Sequence, residues 1–273
     1  MSFQELLRES MSRNDTLLCV GLDPDPARIP ALFVNQPDPV YAFCAAITEA
    51  TADLVCAFKP NIAFFEALGP HGMLTLQRVI QAVPPNVPVI LDAKRGDIGS
   101  TAEAYAHAAF VELGAHAITL NPYLGGDALA PFLRYANRGC ILLCKTSNPG
   151  SADVQDLQLA NGEPLYMEVA RRARDHWNTN NNVGLVVGAT HPEQLRAVRT
   201  LCPTMPLLIP GIGAQGGDIT TAVGAAVDGN GSGIIVNASR SILFASSGTD
   251  VIDAARKEAL RLRAAINAAR DTL

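Results

Sequence analysis

Short runs of apolar residues recur along the chain, each closing on polar or glycine-rich positions and most leading into a stretch with helical spacing. They are TLLCVGLD (16–23), LVCAFKP (54–60), VPVILDAK (87–94), HAITLNP (116–122), GCILLCKT (139–146), VGLVVGAT (183–190), MPLLIPGI (205–212) and GIIVNAS (233–239). Near-continuous hydrophobicity is what a strand buried on both faces requires, and alternation with helices implies a parallel sheet. Helices are predicted between the runs, among them ALAPFLRYA (128–136), PEQLRAVRTL (192–201) and the closing AARKEALRLRAAINAAR (254–270). Eight such units point to a (β/α)8 TIM barrel forming a single domain over residues 1–273. Periodicity alone leaves an open doubly wound sheet as the alternative.

Composition narrows the picture. Hydrophobic residues make up 48% of the chain and aromatics only 5%, so the core is built mainly from Ala, Val, Leu and Ile. The net charge is -5, and no Lys/Arg run forms the stripe that a nucleic-acid backbone needs, so no nucleic-acid partner is expected. The start, MSFQELLRES, reads as an amphipathic helix, and no apolar stretch approaches a membrane span; a cytoplasmic protein with no membrane partner is expected. The six cysteines lie in apolar surroundings without C-x2-C pairs, which suits buried small hydrophobes in a reducing compartment. One polar insertion, NPGSADVQDLQLANGEP (148–164), follows the fifth run and is read either as a lid or as a surface loop.

A barrel carries its active site at the C-terminal ends of its strands, and polar residues collect there: Asp23, Lys59, Asp92, Lys94, Asn121, Lys145 to Asn148, Ser239 and Arg240. Asp92 and Lys94 stand two apart on one predicted strand, so pleat alternation predicts that they share a face and, if that face is the interior, are both buried. Asp97 follows a glycine turn and could return a third charge to the same place. An ion pair at a strand end explains a lone D-x-K; it explains less well a third charge together with Lys59 on the preceding strand.

After the seventh run, PGIGAQGGD (210–218), and after the eighth, NASRSI (237–242), lie where such barrels hold phosphate. Glycines let backbone N–H groups approach an anion, and the Arg240 guanidinium offers a planar fork for its oxygens. Gly211, Gly213 and Gly216 spell G-x-G-x-x-G, but that dinucleotide motif belongs in a first βα turn. The five histidines have no metal-ligand spacing, and no Ser-His-Asp order is present.

With these residues assembled, the chain resembles the orotidine 5′-monophosphate decarboxylase family over nearly its whole length, most of all its longer bacterial branch. The resemblance rests on CVGLDPD (19–25), AFKPNIAFFE (57–66), LDAKRGDIGSTA (91–102), TLNPYLGGD (119–127), KTSNPGS (145–151), PGIGAQGGD and NASRSI. It implies decarboxylation of a pyrimidine nucleotide without metal or organic cofactor. By the same resemblance Lys94 protonates C6, Asp92 and Lys59 hold the charge array, and Asp97, Ile98 and Thr101 reach a neighbouring subunit's site in a homodimer. Asp23 and Lys59 bind ribose hydroxyls, Ser147 the pyrimidine, and Gln215 and Arg240 the phosphate. Two readings compete: a magnesium-dependent sugar-phosphate enzyme sharing D-x-K-x-x-D, with Glu66 as an added carboxylate, and a non-catalytic phosphate-ligand sensor on the same barrel.

Overall fold

The computed structural model describes residues 1–212 and 218–272, and each of the eight apolar runs holds one strand. The strands are β1 (Leu18–Leu22), β2 (Ala57–Pro60), β3 (Ile90–Arg95), β4 (Ala117–Leu120), β5 (Gly139–Lys145), β6 (Val183–Val187), β7 (Leu207–Ile209) and β8 (Ile234–Ala238). Six of them, β1, β2, β4, β6, β7 and β8, are buried at every position, as strands sandwiched between a barrel interior and a helical coat must be.

Neighbours in the sheet run β2-β1-β8-β7-β6-β5-β4-β3, all parallel. The two ends of that series meet through parallel bridges, Phe58 to Val89 and Asn61 to Asp92. The Phe58 N–H also donates to the Pro88 carbonyl at 3.0 Å. This contact closes the sheet into a (β/α)8 barrel and removes the open doubly wound alternative.

The first helix, Phe3–Asn14, starts in a capping box between Ser2 and Glu5 and buries Phe3, Leu6, Leu7 and Met11. It covers the N-terminal end of the barrel: the Phe3 N–H donates to Asn137 O at 2.9 Å, just before β5, and Ser10 Oγ to Val55 O at 3.3 Å, just before β2. The helix Pro192–Leu201 has the bounds expected for it, whereas the helix expected at 128–136 spans Gly126–Leu133. With one end covered, the other is left for chemistry. None of the helices among the described residues is long and apolar enough to cross a membrane.

Candidate active site

The polar strand ends converge at the C-terminal mouth of the barrel. Lys59 and Asp92 are 4% and 9% exposed, and Lys59 Nζ donates to Asp92 Oδ2 at 2.8 Å. Lys94 Nζ donates to the other oxygen, Oδ1, at 2.6 Å. One carboxylate therefore lies between two ammonium groups. Burial alone would raise the Asp92 carboxyl, but Lys59 and then Lys94 outweigh it and hold it well below the usual carboxylate range. Burial likewise works against the Lys59 ammonium, yet the charges of Asp92 and then Asp23 push it above its ordinary value.

Asp92 and Lys94 do meet, but not by simple alternation. The β3–β4 register shifts between Leu91 and Arg95, and Lys94 has a φ of 47°, in the left-handed region that a lysine rarely occupies. The strained turn is held by Thr119 of β4, whose Oγ1 accepts the N–H of Ala93 at 3.0 Å and of Lys94 at 2.9 Å. The same hydroxyl donates to Asp92 Oδ1 at 2.9 Å. The expectation that both charges are buried is corrected accordingly: the Lys94 side chain is 49% exposed, because the bulge carries it out of the pleat toward the mouth. Thr119 was not singled out in the sequence; its only signal there was a hydroxyl inside an otherwise apolar run.

A cavity of about 400 Å³ opens onto this array, lined by Lys59, Asp92, Lys94, Thr119, Ser147 and Pro210 among others. Ser147 can sit there because Gly188, just beyond β6, has no side chain: a Cβ on Gly188 would lie 2.7 Å from that of Ser147. Asp97 does not return to the cavity of its own chain, contrary to the expectation from the glycine turn. Its carboxylate accepts the Ile98 N–H at 2.8 Å, and Ile98 and Thr101 beside it are exposed. Asp23, at the end of β1, is half-buried with Oδ1 fully enclosed and without a partner among the described residues. An enclosed acceptor left unpaired costs about 1 to 3 kcal/mol, a cost that a ligand hydroxyl can relieve. Asn237 of β8 keeps a similarly enclosed Oδ1, a feature that sequence reasoning did not flag.

Arg240 is exposed after β8 and has no ion-pair partner among the described residues. Gln215, Gly213 and Gly216 lie outside the described residues; Gly211, within them, has a φ of 97° that suits glycine. Glu66, the carboxylate a metal-dependent enzyme would use, is paired with Arg95. No three His, Cys, Asp or Glu side chains come together as a metal site among the described residues. All six cysteines are free and buried.

The sequence profile of the orotidine 5′-phosphate decarboxylase / HUMPS family matches residues 16–256. The chain belongs to this family. The orotidine 5′-phosphate decarboxylase of Roseiflexus sp. (strain RS-1) is 60% identical over 98% of this chain and 98% of its own length. Among solved structures, Leishmania donovani OMP decarboxylase aligns with a TM-score of 0.87 at 45% identity, covering 99% of this chain and 100% of that one. Leishmania donovani UMP synthase gives the same TM-score, 0.87, at 46% identity, and this chain spans 57% of its length. The family expected from the motifs is thus the family found, and with it the enzyme class of a carboxy-lyase in the family's TIM-barrel fold.

Proposed function

We propose that the chain, a single-domain cytoplasmic homodimer, converts orotidine 5′-monophosphate to uridine 5′-monophosphate, the last step of de novo pyrimidine synthesis. The observation that carries the reading is the Lys59–Asp92–Lys94 array facing the cavity, with distances of 2.8 and 2.6 Å. The C6–carboxylate bond breaks heterolytically, CO2 departs, and the electron pair stays on C6 as a vinylic carbanion that the ring delocalises poorly. The Lys94 ammonium, half-exposed and aimed at the mouth, stabilises that charge and then donates its proton to C6; solvent restores the proton. The charge that stabilises the carbanion is thus supplied by lysine and needs no metal ion.

Asp92 keeps both lysines oriented, and its own negative charge beside the substrate carboxylate favours loss of CO2. Asp23 and Lys59 take the ribose hydroxyls, Ser147 the pyrimidine, and Gln215 and Arg240 the phosphate. Asp97, with Ile98 and Thr101, completes the site of the second subunit, which accounts for its exclusion from its own cavity. Phosphate contacts far from C6 favour the closed enzyme and so lower the barrier at the reacting carbon.

The test is the loss of orotidine 5′-monophosphate absorbance in buffer containing EDTA. Turnover by the wild type, together with folded but almost inactive Lys94→Ala, is expected. Activity that disappears with EDTA, or survives in Lys94→Ala, would overturn the mechanism.

A further inference from the structure

Lys145, the last residue of β5, is 1% exposed and does not line the catalytic cavity. Its register with β6 shifts between Leu143 and Lys145, so its side chain leaves the regular pleat. Nζ donates to Ser151 Oγ at 3.1 Å and lies 2.8 Å from Asp156 Oδ1. Both partners belong to the 148–164 insertion, which begins three residues further on. A second tie runs in parallel: Gln155 Oε1 accepts the Thr146 N–H at 2.9 Å, and Gln155 Nε2 donates to Thr146 Oγ1 at 2.9 Å. Between these anchors stand Thr146, Ser147 and Asn148, all three of which line the cavity.

We propose that Lys145 is a positioning residue: it clips the insertion back onto β5 and so fixes how Thr146 and Ser147 are presented to the pyrimidine ring. This rests on the reading of the reaction given above. The burial of a lysine is costly unless its ammonium is paired, so the clip has a strong preference for one arrangement. Asp156 is 41% exposed and could find water elsewhere; Lys145 could not. The root of the insertion is therefore held at the buried end, while its outer part, with Leu157 56% exposed, is left outside the core.

The deciding experiment compares UMP with ribose 5-phosphate, which lacks the base, by titration calorimetry on wild type, Lys145→Met and Asp156→Asn. Lys145→Met should weaken UMP by roughly 10-fold to 100-fold, the scale expected when a positioning contact moves by about 1 Å. Ribose 5-phosphate should bind all three proteins alike. Asp156→Asn, altered at the exposed partner, should show the same selectivity to a smaller degree. Loss of both ligands in equal measure, or of neither, overturns the proposal. Thermolysin cleavage near Leu157 needs no ligand: faster cleavage in Lys145→Met supports the clip, and unchanged cleavage overturns it. Wild-type protein that binds no UMP would overturn the reading of the reaction, and with it the pyrimidine role of Lys145.

Discussion

The Lys59 ammonium and the Asp92 carboxylate meet at 2.8 Å, with side chains 5% and 11% exposed. A buried pair of this kind is costly to assemble and more costly to break, because the remaining charge has no solvent to turn to. Asp92→Asn is therefore expected to lower stability by about 3 to 5 kcal/mol. It also removes the group that orients both lysines, so turnover should nearly vanish even in the folded fraction. Denaturant titration and single-turnover assays measure the two losses separately; a fully stable Asp92→Asn would mean that the pair is not truly desolvated.

Thr119 holds the Lys94 turn through two accepted N–H bonds and one donated bond. Thr119→Val keeps the shape and deletes the hydroxyl. We expect kcat to fall by roughly 10-fold to 100-fold, through displacement of Lys94, with KM little changed. A change confined to KM would place Thr119 in substrate binding instead.

Arg240→Ala should lower kcat/KM by the equivalent of about 2 to 5 kcal/mol, the range for truncating one partner of a charge pair that becomes buried when the ligand binds. Orotidine, which has no phosphate, should lose nothing further on this substitution. An equal loss with both substrates would remove Arg240 from the phosphate site.

Acid should destabilise the protein in two stages. His116 Nδ1 accepts the Val89 N–H at 3.1 Å, and burial, helped by Arg138, holds its pKa below the ordinary 6.5. The unfolded chain therefore takes up this proton first, so the stability it confers is present above pH 6.5 and is lost as pH falls below it. Asp92 is also depressed, from 3.8, so its contribution persists to lower pH and goes only below that value. Melting temperatures between pH 7.5 and 5 should fall less in His116→Asn, whose amide oxygen can accept the same N–H, than in the wild type. Parallel curves would refute the His116 assignment.

At the opposite end of the barrel, buried Arg199 donates to the carbonyls of Ala226 at 2.6 Å, Met205 at 2.8 Å and Gly233 at 2.7 Å. Arg199→Met should cost about 3 kcal/mol or more by leaving the Ala226 and Met205 carbonyls unpaired, while Gly233 O keeps the Leu207 N–H at 3.0 Å. The melting temperature would drop while kcat at low temperature stays unchanged. A catalytic defect without loss of stability would contradict this purely architectural role.

The eight strands were legible because a strand enclosed on both faces has to be apolar almost throughout, and that demand is written locally. Lys59, Asp92 and Lys94 were legible for a related reason: a charge at the end of such a run is costly anywhere except at a strand end opening on a site. Other features came from contacts remote in sequence. Alternation put Lys94 on the face of Asp92, but the bulge and the positive φ that place it depend on Thr119, 25 residues away. The glycine turn permits a return of Asp97 to its own array, whereas the resemblance sends it to a neighbouring subunit; in the structure it lies half-buried outside its own cavity, beside exposed Ile98.

The insertion after β5 read equally well as a lid or a loop, since its polar composition contains no hint of the buried lysine that anchors it. Closure of the barrel was expected from the eight repeated units but not fixed by periodicity, because it rests on Phe58 meeting Val89 and Asn61 meeting Asp92, bridges between the first and last members of the strand series. What the sequence by itself determined was therefore the set of strands and the charges at their ends, both products of local burial. Only the tertiary structure decided which of those charges touch, because burial periodicity says which way a residue faces along its own strand and nothing about what another strand brings to meet it.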